Sequence, residues 1–139
     1  MSELVRISIS IEDSLFQKLE SMVEKNGYEN RSEFIRDIIR DRLVEDSWNS
    51  ELTVVGTLTL IYDHAKRELG KKLTDIQHSN HDIVLASTHV HLSHDICAEM
   101  IMLKGKSKEI KEMALNLGKQ IGVLHSGLAM GTTGMEFES

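Results

Sequence analysis

Alternation of apolar and polar residues near the N-terminus constrains the fold of this chain more than any other feature. Between Leu4 and Ile11 every second residue is apolar, which is the period-two pattern of a half-buried strand. The polar positions between them are Arg6, Ser8 and Ser10. A single strand cannot satisfy its own backbone hydrogen bonds, so this segment needs a partner strand.

Two amphipathic helices are predicted directly after the strand. Apolar residues recur at helical spacing after Glu12-Asp13, and this pattern ends near Asn26-Gly27. A second helix begins at Asn30, an N-cap residue whose capping-box partner is Glu33. One strand and two helices in roughly 45 residues cannot bury their apolar faces alone, so we expect this unit to dimerise.

Antiparallel pairing of the strands from two copies would make a two-stranded ribbon that fits the major groove of B-DNA. The segment resembles the ribbon-helix-helix DNA-binding family over residues 4–45. The resemblance includes the Gly27-Tyr28 turn and the Arg-Ser-Glu start of the second helix at residues 31–33. The alternative is a small dimerisation domain with an exposed polar strand face.

The charge balance excludes proteins that coat nucleic acid through a broad basic surface. The net charge is −6, and residues 1–48 carry seven Lys or Arg against eleven Asp or Glu. Any contact with DNA must therefore be local and geometric.

Six further elements are predicted after residues 46–51, a polar segment that has the character of a linker. They are strands over 52–62, 83–92, 96–103 and 123–129 and helices over 64–77 and 106–120. The order βαββαβ is the ferredoxin-like split motif, with helices on one face of an antiparallel sheet. The sequence thus predicts an α+β protein: a ribbon-helix-helix domain at 1–48, a ferredoxin-like domain at 52–131 and a tail at 132–139.

Five of the seven histidines and the single cysteine lie within residues 78–97. His89 and His91 are two apart on a predicted strand, so their rings project from the same face. Cys97 opens the next strand, and the hairpin would bring its sulfur back toward both imidazoles. His78, at the end of the preceding helix, is the best fourth ligand and can come from another subunit. His81 and His94 fit this geometry less well.

Three imidazoles and one thiolate suit zinc, copper or nickel, and the spacing leaves the choice of metal open. An enzyme that activates water at an open metal position, with Glu99 as the base, is one alternative. A sensor of a small molecule, in which the histidines are incidental, is another. His64 and His125 receive no role from the sequence.

Residues 52–128 resemble the regulatory domain of the nickel-responsive repressor family (NikR), which has an ACT-type ferredoxin-like fold. The matching motifs are Tyr62-Asp63-His64, Lys66-Arg67-Glu68-Leu69, Gln77-His78, Thr88-His89-Val90-His91-Leu92 and Cys97. The resemblance implies a homotetramer, a dimer of dimers, that binds one square-planar Ni²⁺ per subunit. His78 would face His89, His91 and Cys97 across a subunit boundary.

The same resemblance implies that Arg6, Ser8 and Ser10 read operator DNA. It also implies additional DNA contacts through Lys66-Arg67. A second cation would bind between domains at Glu33 and Asp37. These positions carry suitable residue types, although helix capping by itself accounts for Glu33 and solvation for Lys66-Arg67.

The resemblance implies a repressor of nickel uptake genes that binds double-stranded operator DNA when loaded with nickel, and not an enzyme. A lone cysteine allows no intrachain disulfide and suits a reducing compartment. No apolar run approaches the length of a membrane span. We therefore expect a cytoplasmic protein with no membrane partner.

Overall fold

A computed structural model of the chain describes residues 3–137, and its internal contacts divide the chain after Leu43. The first unit contains the described residues up to Leu43 together with residues 136 and 137, and the second is Val44–Met135. The division falls inside a helix rather than in the polar segment 46–51, because the last turn of that helix packs into the second unit. Trp48 in that turn is buried.

The two predicted N-terminal helices are confirmed as α1, Asp13–Lys25, and α2, Arg31–Trp48. Gly27 between them has a φ of 71°, a left-handed conformation that favours glycine. The Asn30 side chain accepts a hydrogen bond from the Glu33 backbone N–H at 2.9 Å, as the capping motif predicts. The Glu33 carboxylate lies 3.9 Å from the Arg36 guanidinium, three residues further along α2.

The predicted N-terminal strand is not formed within the single chain, where residues 3–12 have no regular secondary structure. The reason is physical: a strand is defined by pairing, and residues 3–137 pair no strand with this segment. Its apolar side chains are left in solvent, with Val5 81%, Ile7 71% and Ile9 61% exposed. An exposed apolar face of this kind is what dimerisation would cover.

The second unit contains the six predicted elements in the order βαββαβ. They are β1 Thr53–Asp63, α3 Leu69–Ser79, β2 Val84–His91, β3 Ile96–Lys106, α4 Ser107–Gly118 and β4 Val123–Met130. The sheet is antiparallel with strand order β2-β3-β1-β4, which confirms the ferredoxin-like prediction. A short 3₁₀ helix, Met135–Phe137, lies in the segment predicted to be a tail.

Helix α3 begins five residues later than predicted. The Asp63 carboxylate accepts a hydrogen bond from the Ala65 backbone N–H at 2.9 Å, and Glu68 adopts a φ of 65°. Residues 64–68 are therefore a connecting turn before the helix. None of the helices within residues 3–137 is both long and apolar enough to cross a bilayer.

The core of the second unit lies between the sheet and its helices. Alternate residues of β1 are buried, beginning at Val54, and Leu73 and Leu117 pack against them from α3 and α4. At one end the Trp48 indole N–H donates a hydrogen bond to the Gly131 carbonyl at 2.9 Å. The indole ring also lies directly over Gly56.

Gly56→Ala should destabilise the second unit because an added Cβ would lie 2.9 Å from the Trp48 ring and 3.2 Å from Leu128. Overpacking of this kind costs about 1–3 kcal/mol, which chemical denaturation would measure. Gly70→Ala is the matched control, since a Cβ there meets nothing within 4 Å. Equal stability of the two variants would show that Trp48 does not pack against Gly56 in solution.

Candidate metal centre

Strand register brings one row of side chains together across three strands. Tyr62 of β1 is paired with Cys97 of β3, and Cys97 is paired with His91 of β2. Two residues along the strands, Glu99 of β3 is paired with His89 of β2. Because residues two apart point to the same face, these side chains share one face of the sheet.

Four potential metal ligands converge at this place. One donor atom each from His64, His89, His91 and Cys97 can be chosen so that all four lie within 4.8 Å of one another. The Cys97 Sγ atom is 3.3 Å from the His91 Nδ1 atom. The cysteine is buried while the three imidazoles are exposed, so an ion could reach the site from solvent.

The donor set fits a metal ion by distance as well as by chemistry. Bonds of about 2.0–2.1 Å to nitrogen and 2.3 Å to sulfur separate ligand atoms by roughly 3.3–3.6 Å around a tetrahedral ion. The observed spacing requires only small side-chain movements to reach these values. The sequence-based prediction that His89, His91 and Cys97 lie together therefore agrees with the geometry.

His64 is the residue that sequence reasoning missed. It follows the last residue of β1, and its backbone N–H donates a hydrogen bond to the Asp95 carbonyl at 2.6 Å. Asp95 directly precedes β3, so this bond holds His64 beside the hairpin that carries the other ligands. The β1–β3 pairing would have indicated this neighbour, but strand order and register are not visible in a single sequence.

His78 does not belong to this group of four within the chain. It lies near the end of α3 and is exposed, whereas its neighbour Gln77 is buried. Assignment of His78 to a site shared between subunits concerns an assembly of chains and stays a prediction. Among the other histidines, His94 lies 3.0 Å from Asp95 and His125 is on β4.

Burial shifts the pKa values of two groups in this row, Cys97 and Tyr62. Burial raises the pKa of the Cys97 thiol, so the metal-free cysteine is protonated at neutral pH. Burial, followed by the nearby Glu99 carboxylate and Cys97, raises the pKa of Tyr62 to about 12. A metal ion that binds Cys97 must therefore displace a proton from it.

Glu99 is already engaged in a buried contact. The Gln77 side-chain amide donates a hydrogen bond to the Glu99 carboxylate at 2.5 Å, and both side chains are buried. This bond ties the end of α3 to the strand that carries Cys97. A carboxylate held in this way is poorly placed for the general-base role that an enzyme would require.

The residues predicted to contact DNA are all exposed: Arg6, Ser8 and Ser10 in the N-terminal stretch and Lys66 and Arg67 in the turn before α3.

The carboxylates predicted to bind a second cation have partners on their own helix and turn. Asp37 accepts hydrogen bonds from the Tyr28 hydroxyl at 2.6 Å and from Arg40 at 2.9 Å. The Glu33 carboxylate lies 3.9 Å from Arg36. A cation at these carboxylates would compete with the partners that they already have.

Sequence comparison shows which family these features belong to. The profile of the NikR C terminal nickel binding domain matches residues 55–130, and that of the ribbon-helix-helix protein, copG family, matches residues 5–46. A candidate nickel-responsive regulator of Solibacter usitatus is 47% identical over 99% of this chain and 100% of its own length. One of Geobacter sulfurreducens is 44% identical over 98% of this chain and 99% of its own length.

The chain belongs to the nickel-responsive regulator family. Members of this family regulate transcription and are not enzymes. Membership implies DNA binding and oligomerisation through the ribbon-helix-helix part and nickel binding through the second unit. In fold, 57% of this chain also resembles 98% of an uncharacterized protein of Thermotoga maritima, with a TM-score of 0.52 and 14% identity.

Tyr28→Phe in this regulator should raise the pKa of the Asp37 carboxyl. That pKa is lowered mainly by the hydrogen bond from the Tyr28 hydroxyl and then by the one from Arg40. Because its pKa is lowered, the ionised Asp37 carboxylate stabilises the folded unit at pH values above the usual carboxyl pKa. This stabilisation is lost as the pH falls through the lowered pKa. Carbon-13 NMR titration of the Asp37 carboxyl would measure the shift.

The phenylalanine variant retains the ring that packs edge-on against Phe34, with centroids 5.1 Å apart, so it removes only the hydroxyl. An Asp37 pKa that is the same in both proteins would contradict the assigned cause.

Proposed function

We propose that this protein is a cytoplasmic repressor that binds double-stranded operator DNA when nickel occupies a site between subunits of a homotetramer. The tetramer would bind one nickel ion per subunit, and the regulated genes would be those for nickel uptake. The observation that carries this proposal is the convergence of His89, His91 and Cys97 in a domain whose family binds nickel.

The nickel site is completed by His78 of a neighbouring subunit. Its exposure near the end of α3 supports this assignment, since an exposed imidazole is free to meet another chain. Three nitrogens and one thiolate form a donor set that suits nickel and copper in a planar arrangement. Bound nickel would supply bonds that join two subunits.

Metal binding and DNA binding are connected through the segment that begins at His64. This segment carries Lys66 and Arg67 and continues into α3, whose far end carries His78. Fixing His78 to a neighbouring subunit would restrict α3, and with it the turn that presents the two cations. A coupling of about 1–3 kcal/mol would be typical of allosteric proteins.

DNA recognition is assigned to a ribbon formed by two N-terminal segments. Arg6, Ser8 and Ser10 would face the major groove while the exposed Val5, Ile7 and Ile9 pack against the helices of the dimer. The acidic balance of residues 1–48 restricts the contact to this ribbon and to Lys66-Arg67.

A second cation at Glu33 and Asp37 remains part of this proposal. It would bind by displacing Arg36, Arg40 or Tyr28 from the carboxylates that they now contact. Such competition favours weak binding, in keeping with an accessory role.

Cys97→Ala should abolish tight nickel binding and nickel-dependent DNA binding, because the thiolate is the one sulfur donor of the set. The measurement is a nickel titration followed by the thiolate-to-nickel charge-transfer absorption and by chelator competition. His94→Ala is the matched control, since His94 lies outside the group of four donors. Tight, stoichiometric nickel binding by a folded Cys97→Ala protein would refute the assigned site.

Arg6→Ala should weaken operator binding by about 1–3 kcal/mol if Arg6 reads a base edge, and it should leave nickel affinity unchanged. Lys119→Ala removes an equal charge from an exposed position in the second unit and serves as the control. Binding would be followed by fluorescence anisotropy with operator DNA. An unchanged affinity and footprint in the Arg6 variant would remove the N-terminal ribbon from the DNA interface.

A further inference from the structure

The turn that carries Lys66 is held in one conformation by contacts within the second unit. The Lys66 backbone N–H donates to the Asp63 carbonyl at 3.2 Å, and the Leu69 N–H donates to the Lys66 carbonyl at 3.4 Å. Glu68 has a φ of 65° and is the one non-glycine residue with a left-handed backbone among residues 3–137. Such a conformation is unfavourable for a residue with a side chain and persists where surrounding contacts impose it.

Gly122, the residue directly before β4, supplies one of these contacts. Its carbonyl accepts a hydrogen bond from the Asp63 N–H at 2.9 Å. A Cβ atom added at Gly122 would lie 2.8 Å from Cγ and 3.2 Å from Cβ of Lys66, and 2.7 Å from Cδ2 of Leu69. Real Cβ atoms essentially never come within 3.0 Å of such neighbours. Glycine is therefore the residue that leaves room for the Lys66 side chain at this place.

The Lys66 side chain thus has a held part and a free part. Lys66 is exposed, yet the first methylene groups of its side chain lie against the Gly122 backbone. Long cationic side chains commonly cover other atoms with their methylene groups while the charged end stays in water. Lysine is also among the side chains that lose most rotamer freedom when they are ordered. A side chain that is already held at its base loses less of that freedom when its ammonium group meets a partner.

We propose that Gly122 positions Lys66 for contact with a phosphate group of the DNA backbone. Gly122 acts through the Lys66 side chain and does not itself contact DNA. The inference rests on the proposed function, in which Lys66 contacts DNA. A phosphate is the fitting partner because the lysine ammonium acts as a point charge, without the planar fork that reads a carboxylate or a base edge.

The test measures the binding of nickel-loaded, full-length protein to a fluorescein-labelled duplex of mixed sequence by fluorescence anisotropy. Phosphate contacts do not depend on base sequence, so this probe reports them directly. Binding is measured over a range of salt concentrations, because the slope of log affinity against log salt reports the number of phosphates that the protein neutralises. A variant that is merely less stable keeps this slope, whereas a variant that loses a lysine–phosphate contact lowers it.

The variants are Gly122→Ala, Lys66→Ala, the double variant and Gly134→Ala. Gly134 is the matched control because its φ of 86° is also left-handed, like the 102° of Gly122. Alanine there brings comparable backbone strain, but its Cβ would meet nothing within 4 Å. Circular dichroism and a nickel titration verify that each variant is folded and loaded.

Lys66→Ala should lower the slope by about 1 for each Lys66 side chain that contacts the duplex. Gly122→Ala should lower the slope in the same direction and weaken binding at least about 2-fold more when Lys66 is present than when it is absent, the smaller end of the coupling between residues in contact. In the Lys66→Ala background it should not change the slope further, and Gly134→Ala should leave the slope at the wild-type value.

A slope that falls in Lys66→Ala but stays at the wild-type value in Gly122→Ala would overturn the positioning role and leave the Lys66 contact in place. Equal effects of Gly122→Ala with and without Lys66 would overturn it as well. If Lys66→Ala left both affinity and slope unchanged, the Lys66 contact in the proposed function would fail and the positioning role with it. The ribbon contact that Arg6→Ala tests would be untouched by that result.

If Gly122→Ala did not fold, the wild-type protein would still decide the question. With selectively labelled lysine and glycine, nuclear Overhauser effects between the Gly122 α-protons and the Lys66 side-chain methylene groups are expected in the nickel-loaded protein. The spectrum of Lys66→Ala identifies the Lys66 signals by their loss. Absence of these effects would overturn the proposal.

Discussion

The pairing of β3 with β1 on one side and β2 on the other is the constraint on which the metal centre depends. It aligns Tyr62, Cys97 and His91 in one row across three strands. Because side chains alternate along each strand, a shift of one residue in either pairing would turn ligands to the opposite face. The core side chains of β1, buried at every second position, fix the register that the metal ligands then use.

His89, His91 and Cys97 thus lie on paired strands of the sheet, whereas His78 lies on a helix connected through a turn. The Gln77–Glu99 hydrogen bond is the buried polar contact that ties this end of α3 to the sheet. A site made from both kinds of element has a preformed part and an adjustable part. That division is what a sensor requires, since a ligand shifts a conformational equilibrium only by binding one state better than another.

Much of this architecture could be read from the sequence, because periodicity reports local structure. It predicted both N-terminal helices, the Asn30 cap and the order of the six later elements, and His89 and His91 were placed on one face from their spacing alone. It did not place His64 beside the other three donors, because that neighbourhood depends on a pairing between distant strands. It also began the linker at residue 46, although α2 continues to Trp48, whose buried ring lies among polar residues in the sequence. The N-terminal strand, which the alternating pattern predicts, needs a partner strand from a second chain, and residues 3–12 of the single chain have no regular secondary structure.

Whether two chains share the nickel ion is tested most directly by mixing two defective proteins. His78→Ala and Cys97→Ala subunits would be unfolded together, refolded as mixed oligomers and titrated with nickel against a chelator. An intersubunit site predicts that the mixture regains tight nickel binding that neither variant shows alone. In a mixed oligomer the His78→Ala chain supplies Cys97 and the Cys97→Ala chain supplies His78, so a complete site can form. Nickel binding by the mixture equal to the sum of the separate variants would contradict the account.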